Sequence, residues 1–455
     1  MQFELGKKQG KALYIQLYEA ISDDIMNGRL RNGAKLPSRR TMAEKLGIAE
    51  NTVDGAYKML LDTGYVESLP RQGYIVSFKS PVYSGDKPWE IIAPEDIVFS
   101  PNGIDISKVN RASYAKILKD IAYNDGMDIF SYVDKGGELI LRNAISKYLY
   151  SFRDVKCSPD KIIIGAGAEY LLSSLAVLFN DTAFITENPC DTHFYRVLAS
   201  YKNKTVTLPW NIGSFDIDAL YKSEGDVLFI EPDARYPRSM ALTTEEKEQI
   251  LKWANEKDGR FIIENCCDSE ITWETGRTLY SMDSNDKVVY LGSFSRSFCP
   301  AVKTSYMVLP PALLELWKKT HAYYYSLTSK TEQFALAEFI NKGHFTKHYK
   351  SMRRIYKDKR EYLKNCIEET FGEDVTVCTS SASTYISADF GTDTFELKKK
   401  ARRYGVKLFS MSSYDAYNAS NDLNYKDEDR IIIGFGELNK EQINRGIRIL
   451  KEITE

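Results

Sequence analysis

The pattern of apolar residues changes character near residue 97, and that change splits the chain into two folding problems. Before it, Tyr14, Leu17, Tyr18, Ile21 and Ile25 recur at helical spacing, so residues 11–28 read as an amphipathic helix stopped by Gly28. Ser38 has the character of an N-cap for a second helix over 39–46, closed by Gly47. A third helix spans 49–63 and ends at Gly64. Two strand-like runs, 65–68 and 74–78, flank a turn that holds Pro70, Arg71, Gln72 and Gly73. Three helices and a hairpin in so short a stretch describe a winged helix-turn-helix.

Residues 79–97 carry Pro81, Gly85, Pro88 and Pro94 without periodicity and read as a linker. Beyond it, short apolar runs at 161–164, 182–185, 226–230, 260–263 and 287–291 look like buried strands, with helical stretches such as 169–179 and 244–256 between them. That rhythm implies an α/β domain built on a mostly parallel sheet. A long charged helix over 346–370 and a smaller α+β portion follow, closed by a helix over 440–453. The expected organisation is therefore a DNA-binding domain at 1–78, a linker at 79–97, a large domain at 98–345, and a long helix with a small subdomain at 346–455.

Charge follows the same division. Residues 1–80 hold 12 Lys/Arg against 9 Asp/Glu, and the remainder holds 49 against 54, so a mildly basic head precedes an acidic body. Seven irregularly spaced cysteines with no CxxC pair favour reduced thiols over a disulfide frame or a zinc site. His344 and His348 are spaced as ligands on one helix face, but no third ligand accompanies them, and no metal is expected. No apolar run approaches the ~18 residues of a membrane span, and the first residues lack a signal-peptide pattern. A cytoplasmic protein with no membrane partner is expected.

Leu36-Pro37-Ser38-Arg39-Arg40, Met42 to Gly47, Asn51-Thr52-Val53, Ala56-Tyr57, Leu60-Leu61 and Gly64-Tyr65 together resemble the GntR-type winged helix. The resemblance implies double-stranded operator DNA as partner. The second helix of such a motif enters the major groove N-terminus first, which would bring Asn51 and Thr52 to base edges and phosphate. Arg39 and Arg40 suit phosphate contact or guanine readout, Arg71 and Gln72 tip the wing, and Gly73 permits its tight turn. The family usually has Ser-Arg where this chain has Ala49-Glu50. Glu50 either accepts from a cytosine amine or serves as an ordinary acidic charge at a helix N-terminus.

The body resembles the MocR branch of that family, whose second domain has the fold-type I aminotransferase architecture. The carriers are Ile129 to Tyr132, Gly136 to Arg142, Ile164 to Ala168, Glu187-Asn188-Pro189, Glu231-Pro232 with Tyr236-Pro237, Asp268-Ser269-Glu270, Leu291 to Ser295, Ala335 to Gly343 with His344, and Met352-Arg353-Arg354 with Tyr356 and Arg360. The resemblance implies pyridoxal phosphate held as a Schiff base by a lysine in a Ser-Phe-Ser-Lys run. Here that run is Ser293-Phe294-Ser295-Arg296. A guanidinium stays protonated and cannot form an imine. The family's ring-nitrogen aspartate falls at Asn265, its tyrosine at Cys267, and its phosphate-binding arginine at Lys303. An amide cannot hold the pyridinium charge.

Gly167 and Ala168, just before a helix, retain backbone amides for an anion, and Lys303 and Arg296 retain positive charge. Arg430 matches the position where the family clamps a substrate carboxylate, with a structural ion pair as the alternative. Tyr236 either packs on a ligand ring or belongs to the core. Pyridoxal phosphate is thus expected non-covalently or not at all. The reading is a homodimeric regulator whose body senses a small carboxylate or phosphate-bearing effector. The alternatives are an active aminotransferase and a purely architectural dimerisation body.

Overall fold

The computed structural model describes residues 12–26, 29–30, 33–69, 73–77, 96–123, 129–201, 204–209, 213–267, 276–321, 323–380, 383–416 and 430–454. The chain divides into two compact units, residues 1–92 and 93–455. Gly28, the wing-tip residues Arg71 and Gln72, Asp268 to Glu270, and the expected linker apart from 96–97 lie outside the described residues.

The first unit contains α1 (Leu13–Met26), α2 (Arg39–Leu46), α3 (Glu50–Asp62), β1 (Val66–Leu69) and β2 (Gly73–Val76), the strands pairing antiparallel. Its core joins Leu17, Ile21 and Ile25 of α1 to Met42 of α2, Val53, Ala56, Tyr57 and Leu60 of α3, and Val66 and Val76 of the hairpin. Apolar burial of this kind contributes about 1.5–3 kcal/mol per large side chain. Tyr14 departs from the face expected for it: it is 40% exposed and lies over Gly55, where a Cβ would stand 3.4 Å from its own. Ser38 caps α2 by accepting the Thr41 amide, and Gly47 closes it at φ 64°, a left-handed turn that glycine enters without penalty.

The second unit runs β3 (Ile97–Val98), α4 (Arg111–Ala122), α5 (Leu139–Arg153), β4 (Ile162–Gly165), α6 (Ala168–Leu178), β5 (Phe184–Glu187), α7 (Thr192–Ala199), β6 (Thr205–Leu208), α8 (Ile217–Lys222), β7 (Val227–Ile230), α9 (Thr244–Asn255), β8 (Phe261–Asn265), α10 (Leu279–Met282), β9 (Val288–Ser293), α11 (Phe294–Ser297), β10 (Ser305–Val308), α12 (Pro311–Thr320) and α13 (Lys330–Asn341). It ends with α14 (His344–Phe371), β11 (Thr376–Cys378), β12 (Tyr385–Asp389), α15 (Thr394–Arg403), β13 (Val406–Lys407), β14 (Phe409–Ser410), β15 (Ile431–Gly434) and α16 (Lys440–Thr454).

The large sheet is ordered β4-β10-β9-β8-β7-β5-β6; β10 is antiparallel to both neighbours and the other pairings are parallel. Helices cover both faces. Ile162, Ile164, Tyr290 and Tyr306 pack with α5 and α13 residues, whereas Ile163, Val289, Leu291 and Met307 pack with α6 and α12. That strict alternation of side is the pleat, and burial on both sides explains the continuous apolar strands. The small sheet is β11-β12-β15-β14. Its core collects Ile386, Ile431, Ile433, Leu363, Ile367, Ile443 and Ile447, and it takes in Ile97 and Phe99 from the segment that opens the unit.

Candidate functional site

Two places concentrate the residues that the sequence singles out, one in each unit. In the first, Glu50, Asn51 and Thr52 open α3, with Glu50 and Asn51 exposed. The N-cap is Ala49, which offers no side-chain acceptor, so Glu50 is the acidic group in the first turn and complements the helix dipole. Tyr57 fixes α3 against the entry to α2 by donating its hydroxyl to the Pro37 carbonyl at 2.9 Å. Arg39 is drawn to Asp54 of α3 at 2.5 Å, and Lys58 reaches the other oxygen of the same carboxylate at 3.0 Å. The Arg39 hydrogen bond, then that of Lys58, holds the Asp54 carboxyl below its usual range. Arg40 is the freer cation, 82% exposed, and among the described residues it pairs with Glu44 one turn on, at 3.0 Å. Gly73 begins β2 at φ 86°.

In the second unit a cavity of about 280 Å³ opens beyond the carboxyl ends of β7, β8 and β9. Ligands of open α/β sheets bind in this position. Its wall includes Ala168, Asn265, Cys267, Ser293, Ser295, Arg296 and Lys303, so seven of the sequence-selected residues meet there. Gly167, at φ 100°, is the N-cap of α6; it gives that helix no side-chain cap and leaves first-turn amides for an anion.

Hydrogen bonds decide what these groups are free to do. Asn265 donates Nδ2 to Glu231 Oε1 at 2.7 Å and accepts the Cys267 amide at 3.3 Å. Ser293 Oγ accepts from the Ser295 amide at 3.2 Å and from Ser305 Oγ at 2.8 Å. Ser295 Oγ is spent on the Val302 carbonyl at 3.0 Å. The two serines therefore brace the turn between β9 and β10. Arg296 lines the cavity while its guanidinium is held by the chain itself. Its guanidinium donates to Asn102 Oδ1 at 3.0 Å, the Pro101 carbonyl at 3.4 Å and Thr384 Oγ1 at 3.1 Å, tying the large sheet to the small one. Lys303 is exposed at the rim.

Two sequence-selected residues lie elsewhere. Arg430 precedes β15 and donates to Cys378 Sγ at 2.8 Å; it is not among the residues that line the cavity. Tyr236 is 4% exposed and stands edge-on to Tyr385 and Tyr414, with centroids 5.2 and 5.0 Å away, so it belongs to an aromatic cluster under the small sheet. Burial pushes its hydroxyl well up.

The structure also brings in groups that the sequence did not single out for the site: Glu169, Asp191, His193 and Glu231, the last named only as part of the family resemblance, line the same cavity. Glu169 follows Gly167-Ala168 directly, and Asp191 caps α7 by accepting the His193 amide at 2.8 Å. Behind them lies a buried ion cluster. Arg235 binds Glu187 through Nη2 at 2.6 Å, and Arg238 Nη1 stands 3.2 Å from the same oxygen, with both arginine side chains 2% exposed. Burial alone would raise the Glu187 carboxyl; Arg238 and Arg235 outweigh it and hold the group below its usual range. Glu187 at the end of β5 and Arg235 and Arg238 in the loop after β7 were the available signal. Among the described residues, no three metal-ligating side chains gather and no helix is long and apolar enough to cross a membrane.

The family model for bacterial regulatory proteins of the gntR family matches residues 13–76. The chain is 30% identical to YdeL of Bacillus subtilis, an uncharacterized HTH-type transcriptional regulator, over 96% of either chain. It is 26% identical to the probable rhizopine catabolism regulatory protein MocR of Rhizobium meliloti, over 96% of this chain and 93% of that one. The structure is similar to a multiple substrate aminotransferase from Thermococcus profundus, with a TM-score of 0.71 at 18% identity, over 83% of this chain and 96% of that one. At that identity the likeness shows the fold of the body.

Proposed function

The chain belongs to the HTH-type transcriptional regulators of the GntR and MocR type, and on that premise we propose that it is a homodimeric, effector-responsive DNA-binding regulator whose body works without a Schiff-base cofactor. The observation that carries the last point is Arg296. It stands where the family's imine-forming lysine is expected, and its guanidinium is committed to Asn102, Pro101 and Thr384. With the neutral Asn265 amide already donating to Glu231, these residues do not fit pyridoxal phosphate as a covalently held electron sink.

A small anion suits what remains. The uncapped N-terminus of α6 and Lys303 supply positive potential for a carboxylate or phosphate. Glu169, Asp191 and Glu231 on the wall make a carboxylate that also bears an amine the better match. Such a ligand acts by binding one arrangement of the body more tightly than another.

Dimerisation is supported by an exposed aromatic surface. Phe130, Tyr132 and Tyr323 are 92%, 83% and 92% exposed, and Tyr132 stacks on Tyr325 at 5.3 Å. Aromatic patches of this kind are characteristic of subunit interfaces, and a symmetric dimer presents two winged helices to paired half-sites.

The test is a thermal-shift screen of the full-length protein against amino acids, organic anions and vitamin B6 forms, with borohydride reduction and mass analysis of the vitamin B6 samples. The reading expects stabilisation by a small anion and no reduced adduct. An adduct on a lysine overturns the cofactor reading, and stabilisation by nothing in the panel leaves an architectural body.

A further inference from the structure

The body carries a second cluster of cations, remote in sequence from the winged helix. Residues 344–357 contain five Lys/Arg and no Asp/Glu, although residues 81–455 as a whole hold 54 acidic residues against 49 basic ones. These residues form the first half of α14. Lys347, Lys350, Arg354 and Lys357 fall at i, i+3, i+7 and i+10, which places them on one side of the helix. All four are exposed. The opposite side, with Phe345, His348, Tyr349, Met352 and Tyr356, is buried and holds the helix in place.

None of the four makes an ion pair among the described residues. The basic run on α15 behaves differently. There Lys398 donates to Ser410, Lys399 to Glu396, Lys400 to the Ile453 carbonyl and Arg402 to Asp96. Unrelieved like charges one turn apart cost a few tenths of a kcal/mol per pair, so the α14 stripe is a small standing penalty in the isolated chain. A polyanion removes it. From Lys347 to Lys357 the stripe is about 15 Å long, which is four to five base-pair steps at roughly 3.4 Å each. Long, flexible cations without interleaved short polar side chains suit phosphates rather than base edges.

We propose that the amino-terminal half of α14 is a second DNA-contact surface, a phosphate-binding stripe on the aminotransferase-like body. It engages duplex beyond that held by the winged helices and adds affinity without sequence preference. The proposal rests on the DNA binding of this regulator family and is independent of the effector.

The test uses the full chain with Lys347, Lys350, Arg354 and Lys357 all changed to Gln, alongside the same positions as Arg, Arg, Lys and Arg. Binding is measured to random-sequence duplexes of about 80 base pairs at several salt concentrations. Each phosphate that is no longer neutralised lowers the slope of log K against log salt by about 0.9, so the Gln variant should lose roughly 3–4 units of slope and the charge-conserving variant none. In a background of Arg39→Ala, Arg40→Ala and Asn51→Ala, residual binding should persist and disappear when the Gln changes are added. An unchanged slope and affinity in a Gln variant of native melting temperature overturns the proposal. So does a change in sedimentation without any change in DNA binding, which would make the stripe a protein contact.

Discussion

Replacing Glu187 with Gln removes the negative charge from between two guanidiniums that are each 2% exposed. Arg235 keeps the Ser214 carbonyl at 3.2 Å and Arg238 keeps the Asn188 carbonyl at 3.2 Å, so each retains an acceptor but not the ion. Breaking a buried pair by deleting one partner costs about 3–5 kcal/mol, because the remaining charge has lost its solvation. The body spans residues 93–455. At about 2.1 cal/mol/K of unfolding entropy per residue, a loss of ~4 kcal/mol lowers its melting temperature by roughly 5 °C. The Glu187 carboxyl is held below its ordinary 4.5, so its contribution is intact above that pH and lost as pH falls through the lower folded value. The assay is therefore differential scanning calorimetry of the full chain at pH 7.5. Glu224→Gln is the control: its pair with Lys204 is just as short, 2.6 Å, but both side chains are mostly exposed. The midpoint should stay at its native value in that variant. A Glu187→Gln midpoint within about 1 °C of native would mean that the two arginines are solvated well enough without the carboxylate.

Single residues elsewhere carry further expectations. Arg40→Ala should weaken duplex binding and lower the salt slope by about 0.9, as read by fluorescence anisotropy; identical slopes exclude Arg40 from phosphate contact. Glu264 is wholly buried, and burial pushes its carboxyl up to about 7, against amides of Tyr280 and Leu279 that pull it down. The folded state therefore holds a proton that the unfolded chain releases from pH 4.5 upward, so stability falls by at most about 3 kcal/mol between pH 4.5 and 7. Denaturant titrations should show that fall in the native chain and a flatter profile in Glu264→Gln. His348 is held down by burial, so its contribution is present above the ordinary 6.5 and lost as pH falls below it; Tm of the native chain should drop more between pH 7 and 5.5 than that of His348→Gln. Gly434→Ala places a Cβ against the Ser100 carbonyl, where backbone on either side cannot yield, and should cost more than about 3 kcal/mol by chemical denaturation.

The winged helix was the most legible part of the chain because its signals are local. Ser38 as a cap, Gly47 and Gly64 as stops and the Leu17-Ile21-Ile25 stripe each report on neighbours a few residues away, and α1 to α3 fall within two residues of where these signals put them. In the large sheet, strands β6 and β10 escaped notice. Each is only four residues long. Ser305 to Val308 becomes a strand through pairing with β4 and β9, which no short-range signal announces. The same limit applies to side chains. Ser293, Ser295, Arg296, Lys303 and Asn265, grouped by the family resemblance, line one cavity, since strand ends converge there whatever the side chains do. The resemblance did not tell which hydroxyls are spent on Val302 or on one another, nor that Arg430 meets Cys378, 52 positions earlier in the chain.

Arg296 shows why that distinction matters for function. Read from the sequence, it is a lysine position that has lost its amine. In the structure its cation joins three elements: α11 at the end of the large sheet, the Pro101–Asn102 turn, and Thr384 at the start of β12 in the small sheet. Asn102 and Arg296 are also on the cavity wall. A ligand that enters therefore meets the same two residues that fasten one sheet to the other. A charged donor in such hydrogen bonds contributes about 1.5–3 kcal/mol each when well partnered, which is the scale of coupling typical of allosteric proteins, about 1–3 kcal/mol. For the effector proposed above, competition for the Arg296 guanidinium would therefore be of the right scale to change how the two sheets are held. On the function proposed above, the residue that stands where the family resemblance expects an imine-forming lysine would report occupancy of the cavity to the small subdomain.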